Sequence, residues 1–411
     1  VPQFLRNIKI GVFISFVNLL IQGISFFVQN FVAQNLSTAN FGYFGILQTD
    51  YSIFSAIADF GMTTLILAFF GDRATKGSLF RNVLQLRLFS SIMTALLMVT
   101  FAFTIRRHHP AFKGELILSL GLLFQHAFFD WYFICGKFWK RLFISKLLHT
   151  ISYAVVMGVA LLYLKLDKIE HIALAMLIAA LPAFFFGVTQ AFHARLFRIT
   201  KRTFCFFYLM LKAGIPYAIA SLASFAYLPV GLYVADVFAS PEFLSAYNFA
   251  NKIIVLASGF MVHFISSSLI NLHQNKDHFL HIKDQLLFTL FIFTASSPLW
   301  LFPKEVLQIL FFAAPWNDSI LAISADCLRI LSFSLTFQAL RMSLISSLLK
   351  DKKTKLYGLF VCIGGVSNII FCSFAGAFLA STTIPIFALT GDFVITIILW
   401  AYFFRNNLIR W

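Results

Sequence analysis

The sequence predicts an all-α, polytopic membrane protein with about twelve transmembrane helices in two six-helix lobes. Three observations predict it. Sixty per cent of the 411 residues are hydrophobic and only 12% are charged, against about 45–50% and about 25% in soluble domains. Apolar runs of spanning length recur along the whole chain. Lysines and arginines gather in short clusters between those runs, on alternating sides.

The runs lie near residues 10–32, 44–70, 86–105, 116–136, 145–164 and 172–192, and again near 213–238, 253–272, 286–302, 320–349, 356–379 and 384–404. All but the ninth reach the roughly 20 residues that a bilayer core requires. The first is too long for a signal-peptide core and lacks a small-residue cleavage site behind it, so it reads as span one. Pro298 and Pro303 close the ninth early, and the segment from there to Trp316 reads as interfacial. The connections are too short to hold a folded soluble domain.

The net charge of +16 would suit nucleic acid if it formed one patch, but its distribution excludes that partner. One side of the predicted topology carries 23 Lys and Arg and the other 7; Arg329 and Arg341 fall inside span ten, completing the total of 32. The richer side is expected to be cytoplasmic, which puts both termini there. The loop holding Arg106, Arg107 and Lys113 is the local exception. The basic stretch 193–212 divides the chain into an N-terminal lobe, 1–192, and a C-terminal lobe, 213–411. A faint repeat supports the division. Asn40-Phe-Gly-Tyr-Phe44 opens span two and Phe243-Leu-Ser-Ala-Tyr247 opens span eight, as expected of parallel repeats in a two-lobed transporter.

The segment Val32-Ala-Gln-Asn-Leu-Ser-Thr-Ala-Asn-Phe-Gly-Tyr-Phe-Gly45, followed by Ala58-Asp-Phe-Gly-Met62, resembles the opening signature of the polysaccharide biosynthesis, O-antigen-type flippase family. That family belongs to the superfamily that also holds multidrug-and-toxin extruders and the lipid II flippase. Lys212-Ala-Gly-Ile-Pro216 and Ala246-Tyr-Asn-Phe-Ala-Asn-Lys252 extend the resemblance into the second half. One departure stands out: family members often carry an acid in span seven near the position of Pro229, and none stands there.

Charged side chains inside spans are costly and need a partner or water. Asn18, Gln22, Ser25 and Gln29 are spaced 4, 3 and 4, which stacks them on one face of span one. Such a stripe is either interhelical hydrogen-bonding or the lining of a wet cavity. Asp59 in span two and Asp392 in span twelve each read as a structural acid or an ion-coupling carboxylate. His126 and Asp130, one helical turn apart, read as a self-neutralised pair or a proton relay. Arg329 can pair with Asp326 three residues earlier. Arg341 has no acid within four residues, so it needs a distant one, with Asp59 and Asp130 as candidates, or an anionic substrate, or else it snorkels.

The five cysteines have neither metal-ligand nor redox spacing. No phosphate loop, zinc-protease helix or paired loop carboxylates appear, so no cofactor, metal or enzymatic activity is expected. The resemblance implies flipping of an undecaprenyl-pyrophosphate-linked oligosaccharide to the outer leaflet of a bacterial inner membrane, by alternating access, for surface polysaccharide. The expected partners are that lipid-linked substrate, anionic lipid headgroups and the polysaccharide assembly machinery. Arg341, Arg329 and the span-one stripe would form a wet, cationic cavity for the pyrophosphate. The alternatives are a cation-coupled multidrug efflux antiporter on the same fold and, from another class, a membrane-embedded glycan polymerase or ligase. The short outer loops weigh against the polymerase or ligase.

Overall fold

The computed structural model describes residues 20–60, 77–136, 138–165, 167–194, 196, 212, 214–215, 218–219, 222–223, 227–272, 278–312, 317–350 and 354–408. Asn18, the Gly61-Met62 end of the signature, the His126 side chain and most of the basic linker lie outside the description. All regular structure among these residues is helical. Among the described residues, six helices are long and apolar enough to cross a membrane: Phe80–Thr104, Trp139–Tyr163, Ile169–His193, Asp318–Arg341, Leu356–Phe378 and Ser381–Arg405.

The chain forms two compact units, Asn35–Leu222 and Val1–Gln34 together with Ala223–Trp411. The first helix therefore belongs with the second half of the chain, whereas the sequence division places it with residues 35–192. Its side chains explain the difference. Helix α1 (20–35) lays Gln22 against Gly259, where a Cβ would come within 2.4 Å of the amide nitrogen. Asn30 donates to the Leu310 carbonyl at 2.9 Å, and Phe26 meets Phe311 edge-on at 5.2 Å.

In the N-terminal unit, α2 (Thr38–Asp59) starts at Ser37, whose hydroxyl accepts the Asn40 N–H, a standard cap for an otherwise orphan donor. It ends at Asp59 because Phe60 takes a left-handed conformation, with φ 49°. The sequence had carried this span on to about residue 70, with Asp59 near its middle. α3 (Gly77–Thr104) shows what surrounds the protein. Phe89, Ile92, Met93, Leu96, Leu97 and Phe103 are exposed along one stripe, while Arg87, Ser91 and Thr94 are buried on the other. In water that arrangement would be inverted; it is the arrangement of a helix facing lipid.

The expected fourth span is not one helix. α4 (Phe112–Gly121) stops, a turn follows, residues His126–Phe129 form a 3-10 turn, and α5 (Asp130–Cys135) resumes. α6 (Trp139–Gly158), extended by a π-helical turn Val159–Tyr163, and α7 (Ile169–His193) complete the unit. Phe80, Phe128, Phe129, Trp131 and Phe133 pack around the break as a buried cluster.

In the C-terminal unit, α8 (Leu228–Phe238) leads into α9 (Pro241–Leu272). The Ser240 hydroxyl caps the Phe243 N–H at 3.2 Å, and Pro241 fits the first helical position. Span eight therefore begins twelve residues before the expected 253, which places Lys252 inside the helix rather than in a loop. Next come α10 (His278–Ala295), α11 (Ser297–Leu301) and α12 (Pro303–Leu310). Pro298 and Pro303 each open a new short helix, as their missing N–H groups favour. The expected tenth span is divided into α13 (Asp318–Leu331) and α14 (Phe333–Lys350). Between them the Ser332 hydroxyl bonds the Arg329 carbonyl at 2.8 Å, a local competition with the helical ladder. α15 (Thr354–Phe378), α16 (Ile384–Phe387) and α17 (Thr390–Leu408) close the chain.

Candidate functional site

The break between α4 and α5 is the first polar centre. Breaking a helix in a bilayer frees carbonyls that lipid cannot satisfy; Tyr51 on α2 and Arg87 on α3 each donate to one, and Ser55 and Asp59, at four-residue intervals beyond Tyr51, bond the Gln125 side chain and Arg87. The Tyr51 hydroxyl donates to the Gly121 carbonyl at 3.3 Å. The Ser55 hydroxyl donates to the Gln125 side-chain oxygen at 3.2 Å. Asp59 accepts from Arg87, whose other nitrogen donates to the Phe128 carbonyl at 3.0 Å. The Arg87 guanidinium also stands over the Phe128 ring, 5.6 Å from its centroid.

Asp59 is therefore an ion-pair partner of Arg87, not of Arg341. Arg87 itself, at the start of the predicted third span, is buried on α3. Asp130 opens α5 after the 3-10 turn, so the premise of His126 and Asp130 one turn apart on one α-helix does not hold. Lys146, Arg87 and Asp59 are the charges acting on Asp130. Its Oδ1, together with the Gln125 amide nitrogen and the Trp131 indole nitrogen, is buried without a hydrogen-bond partner among the described residues. Buried polar atoms of this kind require water or a ligand.

The second centre lies in the C-terminal unit. Arg341 on α14 reaches Asp392 on α17 at 2.5 Å, with side chains 13% and 1% exposed. The distant acid that Arg341 needed is thus Asp392, not Asp59 or Asp130. The guanidinium also lies 5.2 Å from the Tyr227 ring centroid. Tyr227 is fixed at both ends: its hydroxyl donates to the Val361 carbonyl at 2.9 Å, and its carbonyl accepts from Asn368 at 2.9 Å. Asn368 accepts from Thr390 at 3.2 Å, which ties α15 to the start of α17. Gly364 and Gly391 let these helices touch. A Cβ on either would come within 2.9 Å of the other's carbonyl oxygen, the close backbone approach that small residues permit in membranes. Asp392 follows Gly391 directly, so the crossing sets its position.

Arg329, expected to share a cavity with Arg341, is 54% exposed on α13 and pairs with Asp326 at 3.6 Å. Of the span-one stripe, Gln22 packs on Gly259, and Ser25 and Gln29 are half-buried. The sequence reading missed Arg87, Gln125, Tyr227 and Asn368. The spacing of Tyr51, Ser55 and Asp59 was a signal for the first centre. Nothing comparable marks Asn368, whose partners are far away in the chain.

The family profile described as polysaccharide biosynthesis protein matches residues 8–270. The chain belongs to this family. The match includes the whole first centre and stops before Arg341. Solved structures share the fold of this family member. An outward-facing multidrug resistance MATE family transporter of the MOP superfamily aligns with a TM-score of 0.71 at 15% identity, covering 96% of this chain and 95% of that one. An inward-facing MATE family transporter gives 0.68 at 17%, covering 96% of both. The lipid II flippase MurJ, in an inward closed conformation, gives 0.71 at 15%, covering 94% of this chain and 86% of that one. No curated protein sequence matches the chain.

Proposed function

We propose that this polysaccharide biosynthesis family member is a flippase for an undecaprenyl-pyrophosphate-linked oligosaccharide. It moves the glycan headgroup from the cytoplasmic to the outer leaflet of a bacterial inner membrane, and both termini face the cytoplasm. The observation that carries the reading is the family match over residues 8–270. The fold shared with a lipid II flippase supports it, and so does the charge asymmetry of the loops.

In this reading Arg341 is held ready rather than free. Asp392 neutralises and orients its planar fork, which suits a pyrophosphate; substrate binding would exchange one anion for another. Gln22, Ser25 and Gln29 offer neutral hydrogen-bonding groups to sugar hydroxyls, and Arg329 remains a surface cation. Asp59 and Asp392 each already hold an arginine. Among the ion-coupling candidates this favours Asp130, whose Oδ1 is buried at the helix break.

Gene deletion tests the reading. The expected outcome is loss of surface glycan with accumulation of the lipid-linked unit inside the cell, both restored by the cloned gene. Normal glycan display with raised sensitivity to cationic drugs would overturn it in favour of efflux. Accumulation of single, correctly flipped repeat units would point to a polymerase or ligase.

A further inference from the structure

Asp392 holds Arg341 through one of its two carboxylate oxygens. Oδ1 takes the guanidinium, while Oδ2 is buried without a hydrogen-bond partner among the described residues. The neighbouring hydroxyls are engaged elsewhere. Thr396 Oγ1 donates to the Asp392 backbone carbonyl at 2.6 Å, and Thr390 Oγ1 bonds Asn368 and the Phe387 carbonyl.

α14 and α15 pack against α17 here, and the Tyr227 ring borders Gly391, where a Cβ would meet it at 3.1 Å. Besides Arg341, the ionisable groups on these elements are Lys350 at the end of α14, Lys355, Tyr357, Cys362 and Cys372 on α15, and the Tyr227 phenol. α17 itself adds Tyr402 and Arg405 further along. Neither α14 nor α15 contains Asp or Glu, and Asp392 is the one acid of α17.

The exchange proposed at Arg341 has an electrostatic consequence for Asp392. The arriving pyrophosphate either displaces the carboxylate from the guanidinium or shares it. Both put an anion beside a carboxylate whose side chain is 1% exposed. A buried charge stripped of its counter-charge is costly, and a group so placed neutralises instead. A metal ion would be repelled by the adjacent guanidinium, and no cluster of metal ligands occurs among the described residues. A proton needs only a lone pair, and Oδ2 supplies one. We propose that binding of the pyrophosphate headgroup at Arg341 takes up one proton on Asp392 Oδ2, which returns to solvent when the headgroup leaves. Once protonated, the carboxyl group is a donor as well as an acceptor, so it ceases to compete with the anion. The inference rests on the Arg341 reading above, and before the headgroup arrives Asp392 and Arg341 form the ion pair already described.

The probe is a citronellyl pyrophosphate diester of N-acetylglucosamine, added to the purified full-length protein in lipid nanodiscs. Both phosphates of such a diester stay ionised near neutral pH, so a proton taken up on binding belongs to the protein. Calorimetric titrations in two buffers of different ionisation heat count that proton. The wild type should take up about one proton per probe bound, so its affinity should weaken by up to about tenfold per pH unit as the pH rises. Asp392→Asn should still bind, take up about one proton fewer and lose that pH dependence. A proton bound elsewhere, at Asp130 for example, is common to both proteins and cancels in their difference. Equal uptake in the two, or uptake in neither, overturns the inference alone, as does binding that needs sodium and takes up no proton. Equally tight binding by the wild type and by the double variant Arg341→Leu with Asp392→Asn overturns the Arg341 reading and this inference with it, as does a wild type that does not bind the probe. If Asp392→Asn does not fold, Asp392→Glu keeps the charge and infrared difference spectra decide. A protonated-carboxyl band that appears on adding the probe, and moves to the glutamic acid position in Asp392→Glu, supports the site; a band that is absent or unmoved overturns it.

Discussion

Arg341 and Asp392 are joined across 51 positions of chain, and removing either one leaves a buried, uncompensated charge. Such a loss typically costs about 3–5 kcal/mol, whereas replacing both partners by neutral groups is often close to neutral. Arg341→Leu and Asp392→Asn should each lower the amount of protein in the membrane, and the double variant should recover most of it. Immunoblotting of membrane fractions reads this directly. Glycan display by the recovered double variant then separates two roles. If it is lost, the guanidinium acts on substrate; if it is normal, the pair only holds α14 to α17. Unchanged abundance in the single Arg341→Leu variant would show that the pair does not hold the fold. Sequence alone stated the need for a counter-charge but not its source. Nothing local links residue 341 to residue 392, because the Gly364–Gly391 crossing and the Asn368 hydrogen bonds bring them together.

At the scale of the helix, the interrupted fourth span depends on α2. Tyr51→Phe and Ser55→Ala each remove one neutral donor, for which about 1 kcal/mol is typical. Asp59→Asn removes the charge opposing buried Arg87 and should cost several times more. Thermal unfolding of the purified variants is expected to rank Asp59→Asn well below the other two. Equal effects would mean that the four-residue spacing is incidental. The caps repeat the same lesson in a more readable form. Ser37 accepts from Asn40 N–H, and Ser240, 203 positions later, accepts from Phe243 N–H. Each is followed by a pair of rings 6.4 Å apart, Phe41 with Phe44 and Phe243 with Tyr247. The faint sequence repeat was therefore a repeated helix start, legible because caps are local. The breaks at residues 122–129 and at Ser332 were not legible. Apolar periodicity continues through both: at 122–129 the Tyr51 and Arg87 side chains receive freed carbonyls, and at Ser332 its own hydroxyl takes up the Arg329 carbonyl.

At the scale of the molecule, the composition was enough to predict an apolar helical membrane fold, and the one anomaly in the charge count now has a physical cause. The positive-inside rule concerns free cations near helix ends. In the exceptional loop, Arg106 is buried between two acids and Lys113 pairs with Glu170, so its formal charge overstates its effective one. The grouping of α1 was beyond the sequence, because a polar stripe states that a helix has a partner but not which one. The contacts identify the partner as α9. Gln22 lies on Gly259 at the point where that helix has no side chain, and Asn30 and Phe26 continue the contact to Leu310 and Phe311. A protein lacking its native cysteines, with Gln22→Cys and Gly259→Cys, should form an intramolecular disulfide in membranes under mild oxidation. After cleavage at a protease site inserted in the 193–212 linker, the N-terminal fragment should stay attached to the C-terminal one until reductant is added. The pair Phe27→Cys with Gly259→Cys is the control, since Phe27 points outward from α1, and it should not cross-link. Equal cross-linking of both pairs, or of neither, would remove α1 from the C-terminal unit and return it to the N-terminal six-helix lobe that the sequence division describes.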